Sequence, residues 1–302
     1  MKLLSETEGL ARAQPWLGTL VGIRIRDAGA CADAQAAIAA AFAAVRRVHE
    51  LMSFHDPESE VCELNRRAAQ QAVDVSPWTF EVLMRAVEFS EASAGVFDCA
   101  VAPELVRTGF LPAPASCDLA EFPAGPNPGC FHEQVEFLPQ QRIRFKTAML
   151  IDLGGIAKGF AVDRAVDALR DHGIAAASVN AGGDLRVFGE VAETIFVRLP
   201  RDLSSVIPLA SLHDAALATS ADYGNRPARS PSGRSTTPFI DSRSGACCGR
   251  GISVSVSAPD CVTADALTKV VLVTEDEHHP ALEAFGASAI ILPGDAGRTG
   301  RS

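Results

Sequence analysis

The stretch IDLGGIAKGFAVDRAVDALRDHG, Ile151 to Gly173, constrains this chain more than any other. It opens on an apolar β-type run ending at Leu153, breaks at Gly154-Gly155, and continues as an amphipathic helix stopped by Gly173. Ala161, Val162, Ala165, Val166 and Leu169 share one helical face, which requires a core to cover it. Asp163, Arg164, Asp167 and Arg170 are left for water. A strand-to-helix turn leaves backbone N–H groups free to receive an anion. Paired glycines let main chain approach a ligand closely. Lys158 adds a positive charge on the first helical turn, where the helix dipole disfavours one. The same residues are also compatible with simple close packing of helix on strand, with Lys158 solvated.

Patterning elsewhere intersperses strands and helices. Gly18–Arg26 alternates like a strand, and an Ala-rich helix follows from Cys31 to Leu51. MSFHDPESEVCELNRRA begins as a turn and becomes a short helix with Val61 and Leu64 on its apolar side. Pro77–Ser93 reads as a helix, Gly95–Leu105 as a loop with a buried anchor, and Phe131–Phe137 with Gln141–Phe145 as a hairpin. Between them, Leu111–Gly129 turns to Pro, Ala and Gly, the composition of an excursion or loop. Gly224–Ser235 reads as a surface loop, and the last third runs strand, helix, strand. These elements predict an α+β fold of mixed sheets and helices in one domain, residues 16–295, with flexible ends at 1–15 and 296–302.

A formal net charge of −10 argues against a nucleic-acid-binding surface. No apolar run reaches the length that crosses a bilayer, and no secretory signal or lipid-anchor motif is seen, so no membrane insertion and a cytoplasmic location are expected. The eight cysteines include no CxxC pair, and the vicinal Cys247-Cys248 is poor geometry for zinc or an ordinary disulfide.

Seven pieces of the chain, in order, resemble the ApbE-like family of FAD:protein FMN transferases. They are MSFHDPESEVCELNR, GVFDCAVAPEL, the Ile151–Gly173 stretch, SVNAGGDLRVFG, ALATSADYGN, FIDSRSG and ISVSVSAPDCVTADALTKVVLV. Together they cover most of the chain from Gly18 to Val273. The resemblance implies a single T-fold-like domain that binds FAD and, with Mg2+, moves its FMN half onto a threonine hydroxyl of an acceptor protein, releasing AMP. It implies that Gly155 approaches the diphosphate or its metal, that Lys158 neutralises charge there, and that Asp152 hydrogen-bonds the nucleotide. Val96, Phe97 and Asp98 match the flavin-contacting segment, although a core role for Phe97 and a turn or cap role for Asp98 fit as well. Thr219 and Ser220 match a strand end that lines the site, where a β-turn role is the alternative. Asp265, with a hydroxyl close by, matches the metal ligands.

Three departures stand out. His55 occupies a position that is usually tyrosine in the family, where a flavin contact is expected. Pro238 stands where the family normally carries a histidine, and proline cannot transfer a proton. The family's metal-binding hydroxyl lies four residues after the aspartate; here that position is Lys269, and the hydroxyl is Thr268. Both flank Asp265 on a helix, so Thr268 could still reach a cation held there, or the Lys269 ammonium could take its place. Asp265, Thr268 and Lys269 are therefore the expected catalytic cluster. The same motifs would also serve an FAD binder without transfer, or an FAD pyrophosphatase yielding FMN and AMP.

Overall fold

In this computed structural model the described residues are 10–114, 119–122, 125, 129–190, 192–200, 202–222, 237–249 and 251–294. The first half holds β1 (Ala11–Trp16), β2 (Thr19–Asp27), α1 (Ala34–Met52), α2 (Glu60–Arg67), β3 (Val73–Asp74) and α3 (Pro77–Ala92). Next come α4 (Ala102–Arg107), α5 (Phe131–Gln134), β4 (Val135–Leu138) and β5 (Arg142–Phe145). The second half begins with α6 (Ala157–Asp171), β6 (Ala176–Ala181), β7 (Asp184–Phe188), β8 (Glu193–Leu199) and β9 (Asp202–Leu212). It closes with β10 (Ala215–Ala221), β11 (Ile240–Asp241), β12 (Ala246–Cys247), β13 (Ser253–Ala258), α7 (Cys261–Thr274), α8 (Pro280–Ala284) and β14 (Ser288–Leu292). The expected α+β architecture is the observed one.

A seven-stranded antiparallel sheet, ordered β1-β2-β6-β7-β10-β13-β14, organises the molecule. The period of a strand puts alternate side chains on opposite faces, and both faces are used. On one, Val21, Ile23 and Ile25 of β2 and Val179 of β6 meet Ala41 and Val45 of α1 and Val162, Val166 and Leu169 of α6. On the other, Leu185 and Val187 of β7 and Leu217 of β10 pack against Ile195 and Leu212 of the β8–β9 ribbon. A second core joins α3 and α7 to the small β3-β5-β4 sheet through Phe89, Phe131, Ile143 and Leu267.

Several expectations change. Residues 11–15, read as part of a flexible end, form β1 against β2, while residues 1–9 and 295–302 lie outside the described residues. The Gly224–Ser235 loop also lies outside them. Gly95–Leu105 is not all loop: Asp98 caps a short turn by accepting the Ala100 N–H at 2.7 Å, and α4 follows with Pro103 in its first turn. Phe131–Gln134 forms a short helix with a capped start: the Phe131 N–H is met by Asp98 Oδ2 at 3.1 Å and the N–H of the N-cap Cys130 by Glu133 Oε2 at 3.2 Å. The hairpin starts only at Val135.

Asp163 is the largest reversal. It is buried rather than facing water, because it caps the neighbouring helix. Its carboxylate accepts the N–H groups of Cys261 at 3.0 Å and Val262 at 2.8 Å, the first residues of α7, and the Arg186 guanidinium at 2.6 Å. The favour is returned. The N-cap residue of α6, Ile156, has no side-chain acceptor of its own, and Asp265 of α7 accepts the Gly159 N–H at 2.9 Å. Each helix thus supplies a carboxylate to the first turn of the other.

That exchange requires close approach at Gly159. A Cβ there would lie 2.8 Å from Asp265 Cβ and 2.7 Å from the Cys261 carbonyl carbon. Gly159→Ala should therefore destabilise the chain by about 1–3 kcal/mol through overpacking, read as a melting temperature several degrees lower. Gly22, with no described residue within 4 Å of an added Cβ, is the control: Gly22→Ala should stay within about 0.5 kcal/mol of wild type. Equal melting of the two variants would contradict this account of the helix contact.

Candidate active site

Where α6 begins, a cavity of about 550 Å3 opens against the Gly154-Gly155 bend. Both glycines line it, and the bend is open to the cavity rather than sealed in packing. The Gly154 N–H turns back to Asp152 Oδ2 at 3.0 Å, whereas the Gly155 N–H has no partner among the described residues. One main-chain donor, not two, is left for a ligand. Neither glycine has positive φ; at Gly154 the constraint is steric, since a Cβ would lie 2.8 Å from Asp152 Oδ2.

The polar end of the cavity is built from α6, α7 and β7. Lys158 and Lys269 both line it. Behind them stand Asp184, the first residue of β7, and Asp265. Lys158 pairs with Asp184 and lies 3.6 Å from Asp265 Oδ1. Lys269 pairs with the same Asp265 oxygen and donates to the Asp265 carbonyl at 2.9 Å. The carboxylate side chains are 1% and 0% exposed, the lysine side chains 30% and 17%, so the positive ends form the face toward the cavity. Burial would raise the Asp265 carboxyl, but the Lys158 and Lys269 charges and the Gly159 N–H outweigh it and hold Asp265 below the ordinary aspartate range. Burial and the Asp265 charge push Asp184 up. For Lys158, burial is outweighed by Asp184 and Asp265, and its pKa rises.

The remaining wall is largely apolar. Val96 and Phe97 enter from the segment after α3, with Phe97 set edge-on to Phe89 at 6.0 Å between centroids. Leu105, Phe110, Phe239 and Ile240 complete that side, and Pro238 lines it beside them. Thr219 and Ser220, at the end of β10, also face the cavity. The Thr219 hydroxyl bonds Ser255 Oγ at 2.9 Å, and the Ser220 hydroxyl bonds Thr268 Oγ1 at 2.7 Å.

Of the residues expected from sequence, Val96, Phe97, Asp98, Asp152, Gly155, Lys158, Thr219 and Lys269 gather around this one cavity. Asp265 is directly behind the lysines. His55 is exposed and does not line the wall; its influence is electrostatic, through Asp152. Burial raises the Asp152 carboxyl against the Gly154 N–H and the His55 charge. Ser220, expected beside Thr219 at the strand end, lines the cavity with it. Asp184 completes the polar end, and its one signal in the sequence is its place just after the Gly182-Gly183 turn, where both glycines have positive φ.

The expected metal ligands do not fit a divalent cation. The Thr268 hydroxyl is fully buried and committed to the Asp265 carbonyl at 2.7 Å and to Ser220. Asp265 Oδ1 carries two ammonium groups and Oδ2 the Gly159 N–H. Among the described residues no cluster of three or more His, Cys, Asp or Glu could hold a metal ion.

Comparison with known proteins places this architecture. The ApbE family matches residues 17–291. The FAD:protein FMN transferase of Vibrio cholerae is 27% identical over 277 residues, covering 89% of this chain and 82% of its own length. That of Treponema pallidum is 28% identical, covering 93% of this chain and 84% of its own. The solved ApbE protein from Thermotoga maritima superposes with a TM-score of 0.76 at 27% identity, covering 95% of this chain and 97% of that one. The Vibrio cholerae flavin transferase ApbE gives a TM-score of 0.77 at 23% identity, over 94% of this chain and 93% of that one, a likeness of fold.

Asp98 supplies a test of the wall. Burial lifts its carboxyl to about 6 against the two backbone N–H groups of Ala100 and Phe131 that favour its charged form. The folded chain therefore holds this proton more tightly than the unfolded chain, whose aspartates titrate at about 3.9. The stability Asp98 contributes is complete below that value and is lost as pH rises through about 6. Carboxyl carbon shifts in 13C-aspartate-labelled protein should show one aspartate titrating near pH 6 that Asp98→Ala removes. A midpoint near the ordinary aspartate value would contradict the burial described.

Proposed function

The chain belongs to the ApbE family, and from that premise we propose that it transfers the FMN moiety of FAD to a threonine hydroxyl of an acceptor protein, releasing AMP. The observation that carries this reading is the division of the cavity, with an ammonium-faced end at the glycine bend and an apolar remainder. The volume lies within the range of about 300–1,000 Å3 common for cofactor sites. A flavin dinucleotide has matching halves: a flat apolar ring system and a diphosphate carrying negative charge.

In the reaction the acceptor oxygen forms a bond to the phosphorus of the FMN half. The bond from that phosphorus to the bridging oxygen breaks, and AMP leaves with that oxygen. Such transfers are accelerated mainly by positioning and by neutralising charge on the phosphoryl oxygens. Lys158 and Lys269 provide the positive charge, and the Gly155 N–H a main-chain donor beside it. Val96 and Phe97 offer the apolar surface for the ring, and Thr219 at the strand end lines the same cavity. The hydroxyl proton must go to a base. Pro238 cannot accept it, which leaves Asp98 and Asp152 as the carboxyls on the wall. Asp265 and Thr268 are already committed to protein groups and are not free to hold magnesium.

Incubation with FAD and an acceptor bearing a flavinylation threonine should yield a covalently fluorescent acceptor band and one AMP per flavin attached. Lys158→Ala should reduce the rate by about 100-fold or more, the scale of losing one charge-stabilising donor. AMP and FMN appearing without acceptor would identify hydrolysis instead, and FAD binding with no AMP under any condition would identify a binder.

A further inference from the structure

Within that transferase reading, we infer that Lys269 is a resident cation: its ammonium holds the place that a divalent metal would take, so the chain engages a diphosphate without one. Two contacts converge on this. The ammonium sits on Asp265, touching both the carboxylate and the carbonyl of that residue. Its stem passes over the glycine bend, with Cε 3.8 Å and Cγ 3.9 Å from the position of a Cβ on Gly155. Lys269 thus fills the space between Gly155 and Asp265, two of the three residues expected to share a metal.

The charge count agrees. Lys158 and Lys269 face Asp184 and Asp265, two positive charges against two negative. A divalent ion added to this set would bring its charge against an ammonium already in contact with the same oxygen, in a region sheltered from solvent where repulsion is strong. The Thr268 hydroxyl, which could have been a ligand, is spent on Ser220 and on the turn of its own helix. The neutral sum does not leave the cavity without a field. The carboxylates are buried and the ammonium groups lie in front of them, so a diphosphate meets the positive ends first.

Two measurements decide the matter. Calorimetric titration of FAD into the wild-type chain should give affinities in EDTA and in MgCl2 that agree within about twofold. Lys269→Thr removes the ammonium and frees Asp265; its FAD affinity should fall by at least about tenfold in EDTA and recover when Mg2+ is added. Separately, Mn2+ titrated without flavin and followed by electron paramagnetic resonance should remain free with the wild type. Lys269→Thr should take up about one equivalent. Wild-type FAD binding that EDTA abolishes and Mg2+ restores, or wild-type uptake of Mn2+ that Asp265→Asn removes, would overturn the inference. Both wild-type measurements stand without any variant, should Lys269→Thr fail to fold. If FAD binds in neither buffer the transferase reading falls, while the Mn2+ titration, which involves no flavin, still decides what occupies the cation's place.

Discussion

Everything at the site hangs on the exchange of carboxylates between α6 and α7. Asp163 of one helix accepts the first N–H groups of the other, and Asp265 accepts the Gly159 N–H in return. The two helix starts are thereby fixed against each other at a distance that only glycine at position 159 permits. Lys158 immediately precedes that glycine, and Lys269 lies one helical turn beyond Asp265. Their ammonium groups converge because the backbones carrying them are locked. A lysine in the first turn of a helix would ordinarily oppose the dipole; here the carboxylates supplied by β7 and α7 reverse that balance.

Burying this many charges is costly, and an apolar packing of similar volume is often as stable or more so. Removing one partner is worse, since it strands the other without water. Retaining four paired charge-bearing side chains at one end of a cavity is therefore better explained by binding than by stability. The layering supports this: the anions are sequestered and the cations are left partly open. Pro238 on the cavity wall cannot carry a proton, whereas burial raises the proton affinity of the Asp98 and Asp152 carboxyls lining the same cavity.

Much of this could be read before any coordinates were known, where the pattern is local. The apolar face of α6 follows from helical periodicity, and Ala161, Val162, Ala165, Val166 and Leu169 are all buried. The pairing of Asp265 with Lys269 follows from their spacing on one helix. What stayed hidden depends on partners far along the chain. Periodicity assigns a face by polarity alone, so Asp163 was placed in water; its role exists only because α7 arrives with unpaired N–H groups. Asp184 sits in a strand whose neighbours are set by the sheet, and nothing near it in sequence announces Lys158. β1 was illegible for a different reason: five of its six residues are exposed, and an edge strand without an apolar face leaves no alternation to detect.

The order of strands carries one more consequence. β2 lies near the start of the chain, yet its partner β6 comes only after α6, and the core over them is shared by α1 and α6. A ribosome releasing this protein exposes the apolar side of α1 and β2 long before their counterparts exist. Productive collapse must await synthesis of the second half, so biogenesis is dominated by a long-range closure that is entropically slow. The nascent N-terminal half is then a natural client for chaperones, and truncations that end before β6 would leave it sticky rather than folded.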